Sequence, residues 1–146
     1  MVRQDTLIKG LEAKVLPRGI DKTRPLTREE HTEFRSCAGS LQYLAGNSRP
    51  DLSAGVSLAQ RKDMTVEQLD QIYKRNNYAI ATADVGLKIQ KVNLSSACVV
   101  GFGDSSWGNA DQNRTQTGLI VLVTDTSAND TSAPACVVDW RSARTQ

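Results

Sequence analysis

Aromatic side chains are scarce in this sequence: two Trp, two Phe and three Tyr among 146 residues. With 39% apolar residues, that composition fits a globular chain. Histidine occurs once, at His31, in the first turn of a polar helix start and without a visible acid or nucleophile partner, which favours a surface histidine over a general base. Cys37, Cys98 and Cys136 are odd in number, far apart and without a C-x-x-C pair. They point to reduced, buried thiols rather than a disulfide framework or a zinc site. No apolar run approaches the about 20 residues that cross a membrane. The start, "MVRQDTLIKGLEAK", lacks the apolar core and cleavage site of a secretory signal. No membrane partner is expected, and an intracellular location, cytoplasmic or nuclear, is. "GFGDSSWG" lacks the G-x-x-x-x-G-K-S/T spacing of a phosphate loop, and Ser105 and Ser106 have no evident base.

The net charge of +2 is too small to imply a nucleic-acid partner by itself. Its distribution is uneven. Residues 1–91 carry 15 Lys and Arg against 11 Asp and Glu, whereas residues 92–146 carry 3 against 5. The basic half is the better candidate for a phosphate backbone, and an ordinary solvated surface explains it equally well.

The length allows one domain, or pieces of two larger ones. Residues 1–26 lack sustained periodicity and read as a connecting arm that lies on something else. Thr27 with Glu30 forms a capping box, and Phe34, Ala38, Leu41 and Ala45 follow at helical spacing. Ala38, Gly39 and Ser40 form a small patch that another backbone could approach. A second helix opens near Ser48 with Pro50 in its first turn. A third begins after Thr65, with Gln68 completing the capping pattern and Gly86 as its stop. The period then changes. "LKIQKVNL" alternates as a half-exposed strand does. "ACVVGF", "TGLIVLV" and "ACVVDW" are continuous apolar runs suited to strands covered on both faces, joined in succession as an antiparallel meander. The run at 124–132 is a polar loop. Little sequence follows the third strand to supply that cover, so residues 87–146 read as the opening half of an α/β domain.

In "VVGFGDSSWGNADQNRTQTG" an apolar strand delivers a single carboxylate, Asp104. A strand end fixes Cβ and leaves room for water and substrate, which suits a Mg²⁺ ligand. An Asp capping a turn in "GDSSWGN" explains the same residue. Both readings stay open on the residues alone.

Two segments then resemble one family. "FRSCAGSLQYLAGNSRPDLSAGVSL" is similar to the "YRSLVGSLLYLA-TRPDI" segment of copia-type retrotransposon polymerases, with Phe34 for the usual Tyr. "VVGFGDSSWGNADQNRTQTGLIVLV" and "VVDWRSARTQ" resemble "GYSDADWAGD-DDRKSTSGYVFFL" and "ISWKSKKQ", in the same order. The resemblance covers about residues 25–146. It implies that residues 27–86 are thumb and connection helices ending the reverse transcriptase region, and that residues 87–146 are the first three strands of a ribonuclease H-like domain whose first strand is central once complete. The fold class is therefore expected to be α+β. Asp104 would be the first metal-binding, catalytic carboxylate, and Arg114, Thr115, Thr117 and Gly118 would return the chain into the second strand. Ser106 replaces the second Asp of "DADW". The family's next carboxylate follows "SKKQ", whereas this chain stops at Gln146, and the polymerase aspartates would precede residue 1.

The resemblance implies Mg²⁺ in the complete parent domain and none held tightly by this chain. The expected partners are an RNA–DNA hybrid or other nucleic acid and the remaining parts of the Pol polyprotein. The nucleic-acid candidates are Arg49, Arg61, Lys62, Lys74 and Arg75, each with a plainer alternative: Arg49 with Asp51 as a local charge pair at a helix start, the others as a solvated face. Trp107 could stack on a base or pack on its own domain, and Trp140 reads as core. A degenerate or domesticated remnant acting as an interaction module is the rival reading.

Overall fold

The computed structural model describes residues 1–110, 114–125 and 132–144, including all their side chains except those of Asn109, Ala110 and Arg114. Four helices precede three strands: α1 (Asp5–Lys9), α2 (Arg28–Asn47), α3 (Pro50–Ala59), α4 (Val66–Ala81), β1 (Ala97–Ala110), β2 (Arg114–Asp125) and β3 (Ala135–Arg144). The α+β expectation holds. No helix among the described residues is long and apolar enough to cross a membrane. The expected polar loop falls largely at 126–131, outside the described residues, as do residues 145–146.

Local chemistry sets the helix starts. The Thr27 hydroxyl accepts the Glu30 N–H at 3.2 Å, and the Glu30 carboxylate accepts the Thr27 N–H at 2.8 Å. At α4 the Gln68 side-chain carbonyl accepts both the N–H and the hydroxyl of Thr65, at 2.9 and 2.8 Å. Pro50 occupies the first position of α3, where its missing N–H costs nothing. Ser48 terminates α2 rather than capping α3.

The apolar stripe of α2 (Phe34, Cys37, Ala38, Leu41, Leu44, Ala45) meets Leu52, Val56 and Ala59 of α3 and Val66, Leu69, Ile72 and Ala79 of α4 in one buried core. Gly39 stays exposed with nothing approaching it, so the small patch on α2 is not a contact. The close approach lies instead at Gly55, where Arg75 crosses α3 and an added Cβ would sit 1.9 Å from Nε. The arm supplies Ile8 and Leu26 to the core. Two adjacent amides hold it: Asn76 donates to Glu12 O at 2.7 Å, and Asn77 pairs with both the N–H and the carbonyl of Lys14 at 2.9 and 2.7 Å. Cys37 and Cys136 are buried and Cys98 half-buried, all as free thiols. Burial pushes the Cys37 thiol up to about 11.

Two sequence expectations fail between the bundle and the sheet. α4 ends at Ala81, not at Gly86; Gly86 lies beneath the Val2 carbonyl, where a side chain would collide, and Leu87 pairs with Val2. "LKIQKVNL" forms no strand. Beyond Leu87 it meets no ladder partner; instead the N–H and carbonyl of Gln90 both bond the Cys136 thiol, at 3.1 and 3.0 Å.

The strands form an antiparallel meander in the order β1-β2-β3. Asp104 pairs with Gly118 and Phe102 with Ile120; Gly118 pairs in turn with Ser142, and Ile120 with Trp140. These residues share one face, because directly opposed residues of an antiparallel pair point the same way. That face turns towards α2 and α3: the Trp140 indole donates to Ala45 O at 2.6 Å, Gln116 to the Ser57 hydroxyl at 3.1 Å, and Arg144 to Gln60 O. β1 lies at the edge of the sheet, with Val99 71% and Phe102 61% exposed, as expected of a strand that becomes central only in a complete domain. It departs from expectation by running on past Asp104, because Ser105 and Ser106 keep pairing with Thr117 and Gln116.

Glu30 gives the first prediction. The Arg24 guanidinium, bonded at 2.8 and 2.7 Å, and the Thr27 N–H hold the Glu30 carboxyl at about 2 instead of 4.5. A lowered folded-state pKa stabilises fully above the unfolded value and is lost as pH falls through the folded value. Glu30→Gln should therefore cost about 1 kcal/mol at pH 7. In urea titrations the gap to wild type should close between pH 4.5 and about 2.

Candidate functional site

A cleft of about 470 Å³ opens between the first turns of α3 and the helix-facing side of the sheet. Pro50, Ser53 and Ala54 form one wall, Phe102, Ile120 and Trp140 the other. Among the described residues Asp104 is the single acidic side chain at its border. Its Oδ1 accepts the Ser105 N–H at 2.8 Å, and the side chain is otherwise exposed. The residue opposite it is Gly118, so no β2 side chain covers the carboxylate.

Among the described residues no three His, Cys, Asp or Glu side chains come together to hold a metal ion. Mg²⁺ demands near-octahedral oxygen ligation and is usually held by more than one anionic group. Asp104 by itself, already engaged with its neighbour's amide, does not fit that requirement.

The basic candidates do not converge. Arg49 is fully buried. Its Nε and Nη2 bond both oxygens of Asp51 at 2.9 and 2.7 Å, its Nη1 and Nη2 bond the carbonyl and hydroxyl of Thr82 at 3.0 and 2.8 Å, and it stacks 5.6 Å from the Tyr78 ring. Burial works to raise the Asp51 pKa, yet the guanidinium holds it below the usual carboxylate range. Arg49 therefore ties the start of α3 to the end of α4 and offers no surface cation to a phosphate. Lys74 shares Asp70 with Lys22, at 2.9 and 2.7 Å. Lys74 and Arg75 line a hollow of about 350 Å³ with Asp51, Gly55 and Tyr78. Arg61 and Lys62 lie apart, exposed in the turn after α3. Trp107 is 94% exposed and packs on nothing, whereas Trp140 is held against the bundle. Thr115, Thr117 and Gly118 lie in β2; the Arg114 side chain lies outside the described residues.

Two curated proteins of Arabidopsis thaliana, the retrovirus-related Pol polyproteins from transposons RE1 and RE2, are each 38% identical to this chain over 95 residues. The similarity supports a retrotransposon Pol fragment. The matched stretch takes in 63% of this chain and 6% of each relative, so the chain spans only a small part of the curated relatives' length. No protein-family model matches the chain, and no solved structure gives a significant match.

Sequence reasoning missed two features of this Pol fragment. The polar seam of Gln116, Ser57 and Ser142 joins sheet to bundle, and Arg144 bonds the α3 end. The signal was available in "DWRSAR": Trp140, Ser142 and Arg144 alternate onto one face once the strand is extended beyond Trp140. The Asn76–Asn77 clamp had no such signal, since its partners are backbone groups more than 60 residues away.

Removing one partner of a buried charge pair strands the other. Arg49→Ala should cost about 3 kcal/mol, the low end for such pairs because Asp51 is partly solvated. Chemical denaturation checks this, and Arg49→Lys should recover only part, because an ammonium cannot form the planar fork.

Proposed function

We propose that this chain joins the helical end of a reverse transcriptase region to the beginning of a ribonuclease H-like region, and that by itself it binds nucleic acid weakly and cleaves nothing. The parent polyprotein would perform RNA-directed DNA synthesis and remove the RNA strand of RNA–DNA hybrids. Asp104 would be one of several carboxylates serving Mg²⁺ there, the others coming from other parts of Pol, which are the chain's natural partners.

The observation that supports the inactive reading is that, among the described residues, a single carboxylate borders the helix–sheet cleft. Hybrid cleavage by paired metal ions needs ligands on both. The binding reading leans on Arg61 and Lys62 in their exposed turn and on Lys74 and Arg75 beside α3. A second reading, a remnant serving as an interaction module, draws support from the internal use of Arg49 and the pairing of Lys74 with Asp70.

Fluorescence anisotropy with a labelled RNA–DNA hybrid separates the two. The expected result is weak binding at low salt that disappears as salt rises, with a log–log slope of about −0.9 per phosphate contact. Arg61→Gln together with Arg75→Gln should flatten that slope. Incubation with Mg²⁺ should leave the hybrid intact. A flat titration favours the remnant, and metal-dependent RNA cleavage by the purified chain overturns the inactive reading.

A further inference from the structure

The cleft beside Asp104 has the makings of a ligand site that metal chemistry does not account for. Its volume of about 470 Å³ lies within the range of small-molecule pockets. Its walls are mainly apolar, with two aromatic side chains, Phe102 and Trp140, on the sheet side and Pro50 and Ala54 on the helix side. Trp140 is not free to collapse into the space, because its indole N–H is tethered to Ala45 O at 2.6 Å, and Phe102 stands 61% exposed at the edge of the sheet. The cleft is therefore a standing slot with flat walls, suited to a flat ring.

Of the polar residues that line it, Ser53, Asp104, Arg141 and Ser142, the acidic one decides which ring. Asp104 presents a carboxylate, an acceptor with about four lone-pair sites. Only Oδ1 is engaged, by the Ser105 N–H at 2.8 Å. Gly118, directly across the ladder, leaves the carboxylate uncovered on the slot side. Such a group asks for a ligand edge carrying two adjacent donors. Among the nucleobases, guanine alone offers that on its Watson–Crick edge, through N1–H and the N2 amine. Adenine and cytosine offer one donor beside an acceptor, which would face the carboxylate's negative charge. Unpaired bases held between apolar or aromatic side chains and read on their Watson–Crick edge are the usual mode of single-strand recognition.

We propose that this cleft holds one unpaired guanine, stacked among Phe102, Trp140 and Pro50, with Asp104 accepting from N1–H and N2–H. The inference deepens the nucleic-acid reading above and rests on it for the oligonucleotide, but the slot can be addressed separately with the free nucleoside. Recognition needs no metal, so it is unaffected by EDTA.

The test uses the full chain with Trp107→Phe, a substitution at an exposed position, so that Trp140 is the remaining fluorophore. Guanosine should quench Trp140 saturably in EDTA. It should bind on the order of tenfold more tightly than inosine, which lacks the N2 amine, or adenosine. Asp104→Asn, at an exposed carboxylate, should abolish that preference. Gly118→Val, which fills the slot from β2 without touching the charge, should abolish quenching while circular dichroism stays unchanged. A single-stranded oligonucleotide with one guanine among thymines should then outcompete its inosine counterpart. Equal quenching by all three nucleosides, or none, overturns the guanine slot, whatever the hybrid titration shows. Guanosine-selective quenching with no binding of any oligonucleotide keeps the slot and removes the nucleic-acid reading instead.

Discussion

The hydrogen bond from the Trp140 indole to Ala45 O fixes where the sheet sits on the helices. Ala45 lies on the buried stripe of α2, whose position the core already determines. Trp140 lies on the outer strand of the meander and pairs with Ile120, which pairs with Phe102. Through that ladder one side-chain contact carries α2's position across three strands to the strand holding Asp104. Two further polar links lie along the seam, Gln116 to Ser57 and Arg144 to Gln60. An apolar ring with one donor suits such a boundary, because burial supplies the energy and the N–H the direction. The cleft exists because this contact holds the sheet near α3 without closing the space above Asp104.

Charge is handled differently in the two halves. In the bundle several ionic groups serve architecture: Arg49 inside a bidentate pair, Arg24 on the Glu30 capping box, Asp70 between two lysines. Other cations, Arg28, Arg35 and Arg61 among them, stand exposed. In the sheet the described acids are few, and Asp104 stands alone at the cleft. The 38% identity to two transposon Pol polyproteins supports a fragment of such a polyprotein.

Much of this was legible in the sequence. Capping pairs three residues apart and apolar residues at helical spacing act locally, so α2, α3 and α4 could be read directly, and the three apolar runs marked the strands. What escaped depended on distant partners. The alternation of "LKIQKVNL" is that of a strand, but alternation needs a neighbour, and the Cys136 thiol took the backbone groups of Gln90 instead. The continuous apolar run of β1 marked a strand, but its continuation past Asp104 rested on pairing with Thr117 and Gln116. The pairing of Arg49 with Asp51 was legible as a local charge pair at a helix start, but nothing local foretells Thr82, 33 residues later, as a second partner. Asp104 was found as a carboxylate on an apolar strand. Its surroundings, an aromatic-walled cleft with glycine opposite, emerged only from strand register and docking.

The docking of sheet on bundle is the central claim, and hydrogen exchange of the two indole protons tests it most directly. The chain has two tryptophans. Trp107 is 94% exposed, whereas the Trp140 N–H is bonded to Ala45 O. The account predicts that the Trp107 indole proton exchanges at the rate of a free indole while that of Trp140 is protected, and that protection disappears when the bundle core is unfolded. Equal, unprotected exchange at both positions in the folded protein would contradict it, because the sheet would then not be held on the helices and the cleft beside Asp104 would have no second wall.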